Sequence, residues 1–225
     1  MERSIFSQKI GIIGGGQLGK MILNETNKWS LNISILDSNK NSPCKNLCNG
    51  FYVGDLLDYE TVLNFGRQCD LITYEIEHIN VQALFDLEKE GVTVYPKPET
   101  LKIIQDKNSQ KEFYKRNELP TADFSFYSNV NDLKNGIKEG KVEFPCVWKK
   151  TKFGYDGFGV KILKSIEDLN DIPESEMIIE KLIPFQKEIA VIIARNSKGK
   201  IKNFDVVEME FNEISNQVEF VISPS

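Results

Sequence analysis

Histidine is almost absent from this 225-residue chain, with His78 the single instance. There are four cysteines, Cys44, Cys48, Cys69 and Cys146, and their one close pair is spaced C-x-x-x-C, far from His78. That scarcity offers neither a zinc pattern nor a disulfide framework. The cysteines read as reduced, mostly buried thiols, and no protein metal site is expected. No stretch approaches the ~20 apolar residues that a membrane span requires, and no charged n-region with a long apolar run opens the chain. A cytoplasmic protein without membrane contact is the expectation. Lys and Arg number 28 against 33 Asp and Glu, a net charge of -5, with no basic arm or stripe. Nucleic acid is therefore excluded as a partner class, and an anionic ligand would have to be met by local groups. No internal repeat and no low-complexity segment is present.

What is present is ample core material, 40% hydrophobic residues, in a length that suits one large domain or two small ones. Lys9 to Ile13 reads as a buried strand. Gly14-Gly15-Gly16-Gln17-Leu18-Gly19 follows, then a helix with Met21, Ile22 and Leu23 as its expected buried face. This is G-x-G-x-x-G between strand and helix. A second strand, Ile33 to Leu36, ends in Asp37, close to the ~20-residue offset at which an acid holds a dinucleotide's ribose. The same turn would hold any phosphate monoester at a helix N-terminus, or serve only to pack helix on sheet. Strand and helix keep alternating. Phe51 to Val53 is followed by a helix capped by Asp58, and the strand Asp70 to Tyr74 carries Glu75-Ile76-Glu77-His78 at its carboxyl end, where doubly wound sheets place ligands. His78 reads as a surface or capping residue. A helix capped by Asn80 ends at Gly91, and after Val92 to Tyr95 the run Pro96-Lys97-Pro98 closes a Rossmann-like parallel-sheet domain over residues 1–98.

From residue 99 to 225 the pattern becomes that of an α+β lobe. Asp106 caps a helix carrying Lys107, Lys111, Phe113 and Tyr114, and Leu119-Pro120-Thr121 breaks it. A strand from Phe124 to Tyr127 and a helix from Asn131 to Glu139 lead to an apolar run, Phe144 to Trp148. Next comes Lys149-Lys150-Thr151-Lys152-Phe153-Gly154-Tyr155-Asp156-Gly157-Phe158-Gly159, and then the strand Val160 to Leu163. Closely spaced glycines expose backbone amides to a polyphosphate, and lysines at the strand end supply charge. An ordinary hairpin with a basic tip is the competing reading. The loop is not a Walker P-loop, since no Gly-Lys pair is followed by Ser or Thr. A helical turn is expected over Ser165 to Leu169 and a strand over Met177 to Ile183. Glu188 to Ala194 should pair with Ile201 to Val207 across the turn Asn196-Ser197-Lys198-Gly199. Glu208 and Glu210 read as a solvated strand face.

A single-site dehydrogenase has no need for a second glycine loop with its own lysines, whereas an enzyme of nucleoside triphosphates with a separate substrate domain does. In order and spacing, Gly14 to Met21, Thr73 to Glu77, Gln105-Asp106-Lys107, Gly154 to Gly157, Glu180-Lys181 and Lys187-Glu188 resemble the ATP-grasp ligases. Within that family they resemble the branch that carboxylates 5-aminoimidazole ribonucleotide in purine biosynthesis. The resemblance implies that ATP phosphorylates bicarbonate to carboxyphosphate, whose carboxyl group passes to the ribonucleotide's amine, with Mg²⁺ bridging the phosphates. It implies that Lys107 and Lys149 contact phosphate and that Gly154, Tyr155, Asp156, Gly157, Phe158, Gly159 and Val160 form a flap over it. Backbone groups of Glu180, Lys181, Leu182 and Ile183 would hold adenine, and Glu188 would accept both ribose hydroxyls. Gly16, Gln17, Leu18, Glu75, Tyr155 and Asp156 would meet the aminoimidazole ribonucleotide, its phosphate near the first helix N-terminus, with Lys149, Tyr155 and Asp156 as the catalytic set. A homodimer is implied for the full-length protein.

Departures from the family pattern are Phe158 in place of a cation, His78 in place of Asn, and Phe211 and Asn212 in place of a histidine and an arginine. The sequence stops at Ser223-Pro224-Ser225, before the family's magnesium-binding domain, so a truncated and by itself inactive chain is expected. Another ATP-grasp carboxylate–amine ligase, a nicotinamide-dependent oxidoreductase resting on Asp37, and an inactive nucleotide-binding module remain the alternatives.

Overall fold

The computed structural model describes residues 5–154, 159–212 and 217–224. Contacts divide the chain into two compact units, up to Gln110 and from Lys111 onward. The first is built from β1 (Lys9–Ile13), α1 (Gln17–Thr26), β2 (Asn32–Asp37), β3 (Gly50–Val53), α2 (Tyr59–Gly66), β4 (Leu71–Tyr74), α3 (Val81–Lys89), β5 (Thr93–Val94) and α4 (Pro98–Ile104). Its five strands are all parallel, in the order β3-β2-β1-β4-β5. The direction of winding reverses between β1 and β4, and the crevice at the carboxyl ends of those two strands is where such sheets bind ligands.

Layers of side chains on both faces explain why the central strands are continuously apolar. On one face Ile13, Leu36 and Ile72 pack with Val62, Phe65, Leu84 and Leu87 of α2 and α3, and on the other Ile10, Ile12, Ile33 and Ile35 pack with Leu23 of α1. The start of α2 is fixed by Asp58, whose carboxylate accepts the Thr61 N–H, and that of α3 by Asn80, whose Oδ1 accepts the Ala83 N–H. Leu101 joins the first core, so α4 belongs with this unit and the division falls later than the boundary expected at residue 98. On α1 the buried residues are Gly19 and Leu23, while Met21 is 56% exposed. The expected run Met21 to Leu23 could not all face inward, because successive helical residues are turned by about 100°.

α5 (Lys107–Arg116), capped by Asp106 through the Ser109 N–H, crosses the division. Beyond it lie β6 (Phe124–Tyr127), α6 (Val130–Lys138), β7 (Cys146–Lys150), β8 (Val160–Leu163) and β9 (Met177–Lys181). The four strands form an antiparallel sheet ordered β6-β9-β7-β8, with β7 and β8 joined by the glycine loop. Alternation divides the sheet's faces cleanly. Tyr127, Cys146, Trp148, Leu163, Met177 and Ile179 pack beneath Val130 and Leu133 of α6 and beneath Leu169 of a 3-10 turn, Ile166–Asp171, and Ile172 just after it. That turn, capped by Ser165, is the helical turn expected over Ser165 to Leu169, and it runs on to Asp171. The fold class is thus α/β, a parallel-sheet domain followed by the antiparallel sheets of an α+β lobe.

β10 (Glu188–Ala190), β11 (Ile193–Arg195), β12 (Ile201–Asn203), β13 (Val207–Phe211) and β14 (Val218–Ile222) complete the described strands. The hairpin across Asn196 to Gly199 forms, but only between β11 and β12. β10 pairs instead with β13, which also pairs with β14. Of the two acids read as a solvated strand face, Glu210 is exposed, whereas the Glu208 carboxylate, 15% exposed, accepts the Lys187 ammonium at 2.7 Å.

Candidate functional site

In the first unit the glycine turn and Glu75 meet at the point where the sheet's winding reverses. Gly14 has φ +97 and its N–H donates to Leu36 O (2.9 Å). The Gly15 N–H donates to Asp37 Oδ2 at 2.6 Å, and the Gly16 N–H to Glu75 Oε1 at 3.1 Å. The buried Ser42 hydroxyl donates to Gly15 O. A Cβ on Gly15 would stand 2.5 Å from Ser42 Oγ, and one on Gly19 would stand 2.8 Å from Gly14 O. The chain itself therefore demands these glycines, before any ligand does. Burial pushes the Glu75 carboxyl up; the Gly16 N–H pulls it back down, and the charges of Asp37 and Glu77 raise it further. Asp37 does not await a ribose, since Oδ2 holds Gly15 and Oδ1 accepts the Asn39 N–H (2.6 Å). The residue on which a nicotinamide reading leaned is a cap for the turn. Gln17, Leu18 and Gly19 open α1, where N–H groups lack intrahelical acceptors. Gln17 and Leu18 are exposed.

The second unit gathers its charge on the sheet face opposite its core. Register places Phe124, Phe126, Val147, Lys149, Val160, Ile162, Ile178 and Glu180 on that face. Phe126, Val160 and Ile162 stay more than 40% exposed there, an apolar floor open to a ligand. Glu180, only 5% exposed, stands in it with a lysine on each oxygen. Lys149 Nζ donates to Oε2 at 3.0 Å, and Lys111 Nζ lies 3.2 Å from Oε1. Oε1 has ion-pair distance to Lys111 without hydrogen-bond alignment, so one buried lone pair still lacks an aligned donor. Lys111 donates instead to Thr121 Oγ1 (2.6 Å) and rests 6.0 Å from the Phe124 ring centroid. Two ammonium groups share one carboxylate, leaving a surplus positive charge on a half-buried face.

The other expected site residues stand outside the ion pairs of Glu180. Lys107 sits half-buried in the first turn of α5, one turn before Lys111. Gly154 and Gly159 approach each other at the mouth of the glycine loop: a Cβ on Gly159, which has φ +80, would lie 3.4 Å from Gly154 Cα. Val160 follows at the start of β8. Tyr155, Asp156, Gly157 and Phe158 lie outside the described residues. Lys181 ends β9, its N–H donating to Asp123 O (2.9 Å). Leu182 and Ile183 continue outward, and Ile183 O accepts the Phe185 N–H. Glu188 is exposed on β10. Lys111 and Thr121 are functional residues with no role expected from sequence. The available signal was spacing: Lys111 follows Lys107 by four residues, hence on the same helical face. All four cysteines are free; burial raises Cys44, Cys69 and Cys146 to about 11, as inert thiols.

Two family models account for most of the chain: the ribonucleotide synthetase preATP-grasp domain over residues 7–105 and the ATP-grasp domain over residues 112–224. The chain belongs to the ATP-grasp family. Among its members the resemblance is to those of N5-carboxyaminoimidazole ribonucleotide synthesis. It is 30% identical over 223 residues to the N5-carboxyaminoimidazole ribonucleotide synthase of Synechococcus elongatus, covering 97% of this chain and 55% of that protein. It is 34% identical over 212 residues to the phosphoribosylaminoimidazole carboxylase of Candida glabrata, covering 90% of this chain and 36% of the relative. The crystal structure of an Aspergillus clavatus N5-carboxyaminoimidazole synthase with ADP and 5-aminoimidazole ribonucleotide superposes with TM-score 0.82 at 26% identity, over 94% of this chain and 56% of that one. The chain thus spans roughly a third to just over half of these relatives' length.

Proposed function

We propose that this chain forms the nucleotide- and ribonucleotide-binding portion of an enzyme that carboxylates 5-aminoimidazole ribonucleotide in purine biosynthesis. The observation that carries the reading is the open apolar sheet face with its buried Glu180 held between Lys111 and Lys149, beside the glycine hairpin, in a chain of the ATP-grasp family. ATP would give its γ-phosphoryl group to bicarbonate. The resulting carboxyphosphate would then give its carboxyl group to the amine of aminoimidazole ribonucleotide, with release of phosphate. Lys107 and Lys149 are assigned to phosphate, where fixed cations offset the charge that grows during transfer. The loop from Gly154 to Val160 is assigned to cover it, with Tyr155 and Asp156 reaching the substrate. Backbone groups of Glu180 to Ile183 are assigned to adenine, and the Glu188 carboxylate, with lone pairs for two donors, to the ribose hydroxyls.

Gly16, Gln17, Leu18 and Glu75 are assigned to the ribonucleotide. Because Gly15 and Gly16 already donate to carboxylates, its phosphate is referred to the amides of Gln17, Leu18 and Gly19, and Glu75 to a hydrogen-bond donor of the ligand. Among the described residues no group of three or more His, Cys, Asp or Glu could hold a metal ion. Mg²⁺ belongs to the proposal only as an ion carried by the phosphates, and no step is assigned to it. A homodimer is part of the same proposal, checked by sedimentation equilibrium. No helix among the described residues is long and apolar enough to cross a membrane. Calorimetric titration with Mg·ATP and with aminoimidazole ribonucleotide tests the function. Saturable binding of both is expected; binding of neither, or of NADH in their place, would overturn it.

A further inference from the structure

A buried carboxylate with two lysines raises the question of why one cation would not do. Taking charges out of water is favourable only with good pairing, and a second buried lysine adds its own desolvation cost. The two lysines are not equivalent. Lys111 has a side chain 12% exposed and is tied at its ammonium to Thr121 Oγ1 as well as to Glu180. Lys149 is 28% exposed, its described polar partner is Glu180 alone, and its backbone stands near the loop end of β7, opposite Val160. The Thr121 to Phe124 segment that anchors Lys111 also runs beside β9, where Phe124 pairs with Glu180 and Asp123 O accepts the Lys181 N–H. One lysine is built into the wall and the other is only held in place by Glu180.

We propose that Lys111 is a positioning residue for nucleotide: with Thr121 it keeps Glu180 neutralised and in place, so that Lys149 can leave that carboxylate and turn to an incoming phosphate. Glu180 is then a parking site for Lys149, and the surplus charge of the cluster becomes available only when an anion arrives. The inference rests on the nucleotide reading above and adds a role for a residue outside the assigned contacts. Without Lys111, release of Lys149 would leave Glu180 buried and unpaired, so Lys149 would stay and the phosphate would lose its cation.

The test is calorimetric titration of this chain with Mg·ATP, parent beside Lys111→Met, Lys111→Arg and the double variant Lys111→Met/Glu180→Gln, each first shown to unfold cooperatively. Lys111→Met is expected to weaken binding about tenfold, or about 1.4 kcal/mol. Lys111→Arg, which keeps the charge, should stay within about threefold of the parent. The double variant should recover most of the loss, because without the carboxylate Lys149 has nothing to neutralise. Unchanged binding by Lys111→Met would overturn the positioning role and leave the nucleotide reading standing. So would a loss that the double variant fails to recover, which would make Lys111 a direct ligand contact or a purely structural group. A parent that does not bind Mg·ATP would overturn the nucleotide reading and this inference with it.

Discussion

Replacing Glu180 by Ala removes the one carboxylate that two lysines share, and the cost can be worked from their surroundings. Breaking a buried ion pair by deleting one partner typically costs about 3–5 kcal/mol, because the remaining charge is uncompensated. Lys149, 28% exposed, can swing its ammonium toward water on a flexible stem, which reduces its share. Lys111, 12% exposed, keeps Thr121 but loses its counter-charge. The lower end of the range, about 3 kcal/mol, is therefore expected. Trp148 is buried in the same unit, on the opposite face of the same sheet, while the chain's other tryptophan, Trp29, is 56% exposed. Urea unfolding followed by the red shift of Trp148 emission on exposure thus reports on this unit. With a slope of about 1–3 kcal/mol per molar urea, the midpoint should fall by at least roughly 1 M. The loss should persist in 1 M salt (~3 Å Debye length), since pairs this buried are screened little. A loss below about 1 kcal/mol, or one abolished by salt, would place Glu180 among surface pairs and refute the argument.

Three further outcomes follow from the first unit. Gly15→Ala would force a methyl to within 2.5 Å of Ser42 Oγ and 2.9 Å of Ile35 Cγ2, so a loss of about 1–3 kcal/mol is expected in thermal or urea unfolding. Glu75 has its carboxyl raised by burial, so the folded state holds its proton to higher pH than the unfolded chain does, and its ionisation erodes stability as pH rises through that window. Glu75→Gln should therefore be more stable than the parent at neutral pH and equal to it at pH below the ordinary glutamate value, while losing ribonucleotide affinity; paired urea titrations across pH decide this. Asn80→Ala removes the cap of α3 and a bond to Leu57 O, and should cost about 1–2 kcal/mol by the same unfolding assay.

Much of the first unit was legible because its signals are local. The strand Lys9 to Ile13, the turn after it, the caps Asp58 and Asn80 and the position of Glu75 each depend on neighbours in sequence. The role of Asp37 was not, since an acid at that offset reads alike whether it awaits a ribose or holds the Gly15 N–H 22 residues back. The cluster of Lys111, Lys149 and Glu180 was least legible. The β9-β7 pairing brings Glu180 to Lys149 and the tie to Thr121 ahead of β6 brings Lys111, and no periodicity announces either. The turn Asn196 to Gly199 announced a hairpin correctly, but not that β10 would leave it for β13, because that choice is made by a distant partner strand.

Every nucleotide assignment depends on binding at the glycine-hairpin face through Lys149. The most direct test of that binding is the thermal midpoint of this chain with and without millimolar Mg·ATP, beside Lys149→Ala and with NADH as a control. At a hundredfold excess over the dissociation constant the native state gains about 2.7 kcal/mol, a rise of roughly 5–10 °C for a chain of this size. A rise in the parent that is lost in Lys149→Ala is the predicted result. An equal rise in both, or a rise with NADH alone, would contradict it.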